Sequence, residues 1–394
     1  MDLFKKCSQL DNVRNAKEAG IYPYFSQLTS GQDTEVEIDG RKTVMIGSNN
    51  YLGLTGNKDV IAAGVAALEK YGSGCSGSRF LNGTLDIHVQ LEKDLAKFLC
   101  KPDVVTFGTG FQSNLAIISA LCCRNDYIVC DKENHASIYD ACRLSYAKMV
   151  RYTHGDMEDL ARVMESLDLT HGGALIVTDG VFSMSGEIAK LPQIVEIAKR
   201  YGARVMVDDA HGLGVLGKHG RGTAEHFGLE KEVDVYMGTF SKSLASLGGY
   251  MAAEKDVCEY VRHTSRPFIF SASITPASVA CASAALKILS EQPERVANLR
   301  EISCYMRKCL KERGVKIIDA ETPIIPIYTY DDEKTFRACV LLQQRGVYVN
   351  PVVSPAVPQG MSMLRTSYTA THTKEQMDFA AEQIALVLKQ LEVI

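Results

Sequence analysis

Short runs of β-branched and other apolar residues recur through the middle of the chain, and each ends in a polar turn. The runs lie at Val104–Phe107, Tyr127–Asp131, Leu175–Asp179, Ala203–Asp208 and Val233–Met237. Stretches with the helical period of about 3.6 residues separate them. Continuous apolar strands that alternate with helices are typical of a parallel sheet covered on both faces. The region from about residue 100 to residue 250 therefore predicts an α/β domain with a mostly parallel sheet.

The segments before this region have other patterns. Residues 1–30 predict an amphipathic helical lead-in. Residues 34–44 alternate in polarity around Asp39-Gly40, which is a strong hairpin signal. Residues 58–71 have the period of a helix and are predicted to form one.

The pattern changes again from about residue 285, where helical stretches alternate with the apolar runs 315–318 and 325–328. This mixture predicts a smaller α+β domain. We therefore divide the chain into an N-terminal arm and hairpin (1–45), a large domain (46–284) and a small C-terminal domain (285–394).

The composition limits the class of protein. Of the 394 residues, 46% are hydrophobic and 23% are charged, which is ordinary for a globular protein, and the net charge of −4 argues against a nucleic-acid partner. The twelve cysteines form no disulfide framework and no CxxC pair, so they predict buried thiols in a reducing cytosol and no metal site. Neither an apolar signal core nor a run of about 18 apolar residues occurs. We expect a cytoplasmic enzyme without a transmembrane segment.

One lysine stands out in the segment Gly238–Gly249, which follows the last of the predicted strands. Lys242 lies there among small hydroxyl residues and glycines. A lysine at the end of a buried strand is desolvated, which lowers its pKa and makes its amine nucleophilic toward an aldehyde. Thr239 and Ser241 could donate hydrogen bonds to a phosphate. Taken alone, a surface loop of glycine and serine is the simpler interpretation.

A second stretch adds a carboxylate and a histidine. Asp208 and His211 lie three residues apart at the carboxyl end of a predicted strand, where open α/β sheets bind their ligands. A buried carboxylate needs a partner, such as a protonated pyridine nitrogen, and His211 could reach a phenolic oxygen of the same ring. Singly, Asp208 could cap a helix and His211 could be a core histidine. Together with Lys242 they indicate a pyridoxal 5′-phosphate site.

These motifs resemble those of a known family. The segment Thr239-Phe-Ser-Lys-Ser-Leu-Ala resembles the lysine signature of the α-oxoamine synthases, which are fold-type I pyridoxal phosphate enzymes. The segment Asp208-Asp-Ala-His-Gly-Leu-Gly resembles their pyridine-binding motif. The resemblance extends from about Gly20 to the C-terminus, with the motifs in the family's order. It implies a fold-type I transferase: a large, mostly parallel-sheet domain, a smaller C-terminal α+β domain, and a homodimer with sites between the subunits.

The resemblance also implies roles at the cofactor. Lys242 would bind the aldehyde covalently. Asp208 would pair with the protonated pyridine nitrogen, His211 would hydrogen-bond to the ring oxygen, and His135 would stack on the ring. Ser183 matches a serine near the ring oxygen. The implied phosphate contacts are Thr109, Gly110, Phe111, Thr239, Ser241 and, from the neighbouring subunit, Ser271 or Ser273. The glycine turn before a helix at Gly108–Gly110 is in addition a ready anion site.

The substrate contacts come from the same resemblance. The family places its carboxylate-binding arginine at Arg365, where an internal salt bridge is the alternative interpretation. Asn49 or Asn50 is a candidate for the same carboxylate. Arg79, in the glycine-rich loop Gly72–Thr84, matches the family's substrate-channel segment and is predicted to bind substrate.

Within the family, three segments resemble the serine palmitoyltransferase branch: Gly20–Phe25, Gly77–Thr84 and Asn350–Pro358. That branch condenses L-serine with palmitoyl-CoA and releases 3-oxosphinganine, CoA and CO₂, the first step of sphingolipid synthesis. Glycine C-acetyltransferase or another α-oxoamine synthase is the alternative, because pocket length separates these activities. A non-catalytic partner subunit would lack Lys242, and a plain aminotransferase would need no thioester. The preferred amino acid, the acyl length and peripheral membrane contact stay open at this point.

Overall fold

Thirteen strands and fourteen α-helices make up the secondary structure of residues 2–394, which the computed structural model describes. The strands are β1 (Glu35–Ile38), β2 (Arg41–Met45), β3 (Asp103–Phe107), β4 (Tyr127–Asp131), β5 (Lys148–Tyr152), β6 (Ala174–Asp179), β7 (Arg204–Asp208), β8 (Val235–Thr239), β9 (Gly249–Ala253), β10 (Ile324–Tyr328), β11 (Val347–Tyr348), β12 (Asn350–Val352) and β13 (Met363–Ser367). The helices are α1 (Asp11–Glu18), α2 (Lys58–Tyr71), α3 (Asp86–Leu99), α4 (Gly110–Leu121), α5 (Ala136–Leu144), α6 (Met157–Glu165), α7 (Leu191–Tyr201), α8 (Thr223–Phe227), α9 (Lys255–Thr264), α10 (Arg266–Ile269), α11 (Pro276–Glu291), α12 (Glu294–Glu312), α13 (Asp332–Gln344) and α14 (Lys374–Gln390).

A seven-stranded sheet in the order β3-β9-β8-β7-β6-β4-β5 forms the centre of the large domain. Its neighbours from β8 to β5 are parallel, whereas β9 runs antiparallel to both β3 and β8. The predicted mostly parallel sheet is therefore confirmed. Parallel strands end at the same edge of a sheet, so the polar turns after β4, β6, β7 and β8 come together there.

The apolar runs that signalled these strands reflect burial on both faces of the sheet. In β6, Ile176 packs into one hydrophobic cluster, while Leu175 and Val177 pack into another on the opposite face. All six residues of β6 are buried. A sheet covered by helices on both sides produces this continuous apolar pattern.

The predicted hairpin is present. The turn residues Asp39 and Gly40 have φ values of 51° and 70°, as a two-residue hairpin turn requires, and β1 pairs antiparallel with β2. Strand β2 also pairs in parallel with β11, and the core of the C-terminal region includes Val44 together with residues of α12, α13 and α14.

Two details of the C-terminal and N-terminal regions differ from the predictions. Residues 315–318 form no strand, and only an isolated bridge joins Ile317 to Ile327. The lead-in is a 3₁₀ helix, Leu3–Ser8, followed by the short α1, and the rest of residues 2–30 is irregular. Residue 285, where the domain boundary is predicted, lies inside α11, which packs against α2, and the division into domains stays a prediction.

All twelve cysteines are free, but they are not all buried. Cys122 and Cys130 are buried as predicted, whereas Cys100 and Cys123 are exposed because they lie at the turns that follow α3 and α4. Within residues 2–394, no helix has both the length and the apolar composition that crossing a membrane would require.

Candidate active site

A cavity of about 230 Å³ opens at the carboxyl ends of the central strands. Nine of the predicted cofactor residues line it: Thr109, Gly110, Phe111, His135, Asp208, His211, Thr239, Ser241 and Lys242. Asn114, Ser137, Asp179 and Val181 complete much of the wall. Residues from five separate segments of the chain therefore meet at the edge of the sheet where their strands end.

Lys242 lies in the tight connection between β8 and β9. The connection is closed by backbone hydrogen bonds from Phe240 N–H to the carbonyl of Gly248 (2.9 Å) and from Ser246 N–H to the carbonyl of Phe240 (2.9 Å). Burial lowers the pKa of Lys242 to about 8; the charge of Asp208 opposes this shift, and that of Arg365 adds to it. About a tenth of its amine is thus uncharged at pH 7, far more than for an ordinary lysine, and the uncharged form is the one that attacks an aldehyde.

Asp208 is the buried carboxylate of the cavity. Its side chain accepts hydrogen bonds from the amide of Asn114 (2.7 Å) and from the backbone N–H of Ala210 (3.0 Å). Asp179 lies beside it in register on β6, and burial together with the charge of Asp208 raises the pKa of Asp179 well above its usual range. The carbonyl oxygen of Asn114 is buried with no hydrogen-bond partner among residues 2–394. Asp208, whose carboxylate is held by the side-chain amide of Asn114, is therefore the acceptor that lines the cavity.

The two predicted histidines both belong to the cavity and are both held neutral. Burial, reinforced by the charges of Lys242 and Arg365, lowers the pKa of His211 well below its usual range. Burial is also the main reason why the pKa of His135 is lowered. His135 caps the N-terminus of α5 and its Nδ1 lies 2.7 Å from the hydroxyl of Ser137. Neutral rings of this kind can accept as well as donate a hydrogen bond.

Tyr51 is a neighbour of the site that the sequence patterns did not single out. Its hydroxyl lies 2.7 Å from Nδ1 of His211 and 3.3 Å from the side-chain oxygen of Asn49. The ring is fully buried. The polar turn around Asn49 did point to this loop, but the buried position of a tyrosine between two site residues depends on how the loop folds over the sheet.

Arg365 is buried without a carboxylate partner. Its Nε donates to the carbonyl of Ser183 (2.6 Å) and its guanidinium also donates to the side-chain oxygen of Asn49 (3.0 Å). No acidic side chain in residues 2–394 lies within ion-pair distance of it, so the alternative of an internal salt bridge is wrong. A buried guanidinium with no anionic partner is suited to bind a carboxylate, and this role of Arg365 stays a prediction.

The structure distinguishes Asn49 from Asn50. The oxygen of Asn50 accepts the backbone N–H groups of Leu54 (3.0 Å) and Thr55 (3.3 Å), so it closes its own turn. Asn49 contacts Arg365 instead. Of the two candidates, Asn49 is therefore the one placed beside the guanidinium of Arg365.

The prediction for Arg79 is contradicted. Both amino groups of its guanidinium contact Glu92, at 2.7 and 3.0 Å, and one also donates to Thr106 at 2.9 Å. The side chains of Arg79 and Glu92 are only 9% and 8% exposed, so this is a buried ion pair that anchors the glycine-rich loop to α3 and β3. A guanidinium whose two terminal amino groups are both paired with a buried carboxylate is not available to a substrate.

The opposite end of the cavity has the features of a phosphate site. The hydroxyls of Thr239 and Ser241 lie 3.0 Å apart, and α4 begins at Gly110 with its N-terminus lining the cavity. A Cβ atom at Gly110 would lie 2.9 Å from the side chain of Thr239, so only glycine leaves the backbone accessible there. Ser273 is outside the cavity, where its hydroxyl donates to the carbonyl of Gly77 (3.2 Å), and its contact with a neighbouring subunit's phosphate stays a prediction.

The profile of one protein family, described as aminotransferase class I and II, matches residues 41–384. The chain belongs to this family. Among curated relatives, it is 51% identical to a serine palmitoyltransferase of Sphingobacterium spiritivorum over 99% of this chain and 98% of that protein. It is 42% identical to an 8-amino-7-oxononanoate synthase of Symbiobacterium thermophilum, over 98% of both chains.

Comparison with solved structures shows the fold of the chain. A serine palmitoyltransferase with a PLP internal aldimine superimposes with a TM-score of 0.97 at 36% identity, over 100% of both chains. The serine palmitoyltransferase of Sphingomonas wittichii superimposes with a TM-score of 0.96 at 38% identity, also over 100% of both chains. The predicted fold-type I architecture of this aminotransferase-family chain is confirmed.

One further histidine of this family member lies just behind the cavity wall. His154 hydrogen-bonds through Nδ1 to Asp131 (2.9 Å) and through Nε2 to Glu187 (3.2 Å), with Glu133 at 3.7 Å. Burial favours the neutral ring, but the hydrogen bonds to Asp131 and Glu187 and the nearby charges raise the pKa of His154 to about 10. The ring is therefore a cation at neutral pH.

This cation should make stability depend on pH. The folded pKa of about 10 exceeds the ordinary histidine value of 6.5, so the stabilisation is complete below pH 6.5 and is lost as the pH rises through 10. We expect the difference in unfolding free energy between the wild type and His154→Gln to shrink by on the order of 3 kcal/mol from pH 6.5 to pH 10. Denaturant titrations at the two pH values measure it. A constant difference would contradict a charged ring.

Proposed function

We propose that this chain catalyses the condensation of L-serine with a long-chain acyl-CoA such as palmitoyl-CoA, with pyridoxal 5′-phosphate as cofactor. The acyl thioester and serine would yield 3-oxosphinganine, CoA and CO₂, the first step of sphingolipid synthesis. The observation that carries the proposal is the 51% identity, over 99% of the chain, to a protein named serine palmitoyltransferase. A cavity with the side chains that such chemistry needs supports it.

The residues of the cavity fit pyridoxal 5′-phosphate. Lys242 offers a partly neutral amine for the aldehyde, and Asp208 offers a buried carboxylate for a protonated ring nitrogen. The side-chain amide of Asn114 donates to that carboxylate and holds it in place. The N-terminus of α4, with the hydroxyls of Thr239 and Ser241, suits the phosphate.

When bound, the cofactor supplies an electron sink for negative charge at Cα of the amino acid. The chain supplies the rest. Asp208 keeps a proton on the ring nitrogen because an adjacent negative charge stabilises the protonated form. Arg365 and Asn49 hold the carboxylate of the substrate, which fixes the orientation of the bonds at Cα. Lys242, once its amine is released, takes the proton from Cα and later returns one.

The two histidines and Ser183 would orient the ring of the cofactor. His135 would lie against one face of the ring, and His211, oriented by Tyr51, would donate to or accept from the ring oxygen. Ser183, whose backbone carbonyl binds Arg365, is the further candidate near that oxygen. The positions of His135 and His211 in the cavity wall support the first two of these assignments.

A homodimer with sites at the subunit interface is part of the proposal. Large apolar side chains are exposed in the single chain, among them Phe111 (44%) in the cavity wall, Leu81 (76%) and Phe270 (77%). Burial of such residues against a second copy is a common reason for their presence at a surface.

The twelve free thiols further support a cytoplasmic location.

The second candidate is an α-oxoamine synthase with another amino acid and a shorter thioester. The 42% identity to an 8-amino-7-oxononanoate synthase favours this alternative over unrelated activities. The two candidates share the cofactor chemistry and differ in the amino acid and the acyl group that they accept. Only the reaction product separates them.

Product identification tests the proposal. The purified protein, loaded with pyridoxal 5′-phosphate, is incubated with serine, glycine or alanine, each combined with acetyl-CoA or palmitoyl-CoA, and the products are analysed by mass spectrometry. We expect 3-oxosphinganine from serine and palmitoyl-CoA as the dominant product. A dominant product from glycine and acetyl-CoA, or from alanine, would replace the proposal by the alternative.

The lowered pKa of Lys242 gives a prediction for cofactor attachment. Only the uncharged amine attacks the aldehyde, so the rate at which apoprotein attaches pyridoxal 5′-phosphate should rise with pH and reach half of its maximum near pH 8. Stopped-flow absorbance of the cofactor measures this rate. A midpoint near the free-lysine value of about 10.4 would show that burial does not tune this amine.

A further inference from the structure

His154 lies outside the cavity and connects two of the turns that build it. The residue follows β5, the edge strand of the central sheet, and its ring reaches across the end of β4 to the turn after β6. It contacts Asp131 on the first of these segments (2.9 Å) and Glu187 on the second (3.2 Å). The ring also packs edge-on against Phe182, with the ring centroids 4.4 Å apart. One side chain thus joins three consecutive strand ends.

Each of the two turns presents a residue of the site. Asp131 begins the turn that ends at His135, and its carboxylate accepts the backbone N–H groups of Glu133 (2.8 Å) and Gly155 (3.1 Å). The other turn is closed by the hydrogen bond from Phe182 N–H to the carbonyl of Glu187 (2.9 Å).

The second turn carries Ser183 at its tip. The backbone carbonyl of Ser183 accepts a hydrogen bond from Arg365 at 2.6 Å. A shift of this turn would therefore move the carboxylate-binding guanidinium, just as a shift of the first turn would move His135.

We propose that His154 is a positioning residue for the reaction: as a bridge between Asp131 and Glu187 it fixes the two turns that hold His135 and Arg365 in place. The inference rests on the proposed function, because it assigns His135 and Arg365 to the cofactor and the substrate. His154 itself touches neither of them.

The local charges make a cationic ring necessary for this bridge. Three carboxylates, Asp131, Glu133 and Glu187, face the ring, and the side chain of Asp131 is only 2% exposed. Lys132 and Lys190 lie on the flanking segments but form no ion pair with this cluster, and the hydroxyl of Tyr328 is uncharged. Without the ring, like charges would repel one another across the gap between the turns, and the gap would widen.

The test compares His154→Gln with the matched control His171→Gln in the holoenzyme. His171 is an exposed histidine in the loop before β6. Displacement of a positioned group by about 1 Å costs on the order of 100-fold in rate, so we expect kcat/KM for serine to fall about 10-fold to 100-fold in His154→Gln and not in the control. The visible circular dichroism of the bound cofactor should also weaken, since its intensity reports how rigidly the site holds the ring. Unchanged kcat/KM and circular dichroism in folded His154→Gln would overturn the proposal.

A double-mutant cycle separates positioning from general destabilisation. If His154 acts through Glu187, adding Glu187→Gln to His154→Gln should cause less than about a twofold further loss, whereas independent roles would multiply the two losses. Multiplicative losses would overturn the proposal. The circular dichroism signal is measured without acyl-CoA, so it tests the positioning even if product analysis of the wild type rejects serine or palmitoyl-CoA as the substrate.

Discussion

Replacement of Lys242 by alanine is expected to reduce product formation by on the order of 10⁴-fold or more, the scale seen when a central catalytic group is removed. The side chain is the only amine that lines the cavity among residues 2–394, and burial already lowers its pKa to about 8. Under the proposed function, its removal takes away both the attachment point of the cofactor and the group that moves the proton at Cα. Mass spectrometry of the product over long incubations measures the loss.

A second readout makes this prediction independent of turnover. After reduction with borohydride, the wild type should carry the mass of the cofactor on the peptide that contains Lys242, and Lys242→Ala should carry none. Lys218→Ala removes an exposed lysine and serves as the control, with the activity and the labelled mass of the wild type. Covalent label or residual activity near the wild-type level in Lys242→Ala would place the cofactor at another lysine.

Replacement of Arg365 by alanine should weaken serine binding about 100-fold. A hydrogen bond between a guanidinium and a carboxylate contributes about 1.5–3 kcal/mol, and each 1.4 kcal/mol corresponds to about a factor of ten. Because Arg365 has no acidic partner within residues 2–394 and donates only to the neutral groups of Ser183 and Asn49, no internal carboxylate competes with the substrate for it. Spectral titration of the cofactor-loaded enzyme with serine measures the dissociation constant.

The matched ligand for this experiment is 2-aminoethanol, which has the amine and hydroxyl of serine but no carboxylate. The wild type should bind serine far more tightly than 2-aminoethanol, and Arg365→Ala should bind the two about equally. Arg365→Lys keeps the charge but loses the forked geometry, so an intermediate loss is expected. If Arg365→Ala weakened the binding of both ligands equally, Arg365 would support the fold around Ser183 and Asn49 instead of binding the carboxylate.

The central part of the fold could be predicted from the sequence because its signals are local. Strands such as β6 are buried on both faces, so their apolar character appears in every residue, and the turn that follows such a strand is easy to place. Lys242, Asp208 and His211 come directly after strands, which is why the sequence alone predicts their convergence at one edge of the sheet. The cavity confirms that they meet.

The choice of partner for each polar side chain could not be predicted in the same way. Arg79 is predicted to bind substrate because its glycine-rich loop resembles the family's substrate-channel segment, but Glu92 approaches it from the next helix. Asn49 and Asn50 are adjacent in the chain and differ only in which atoms the fold brings near them. The role of His154 depends on Asp131 and Glu187, residues that are distant in sequence. Tertiary contacts determine such pairings, and they cannot be derived from the periodicity of the sequence.

The closed connection between β8 and β9 has a consequence for how the lysine moves. Both of its ends are anchored in strands in the interior of the sheet, so the loop cannot open without breaking the ladders of β7, β8 and β3. The amide protons of Phe240 and Ser246, whose hydrogen bonds close the connection, should therefore exchange slowly with solvent. The backbone at Lys242 is thereby a fixed pivot, and under the proposed function the release and recapture of its amine come from rotation about the four side-chain bonds.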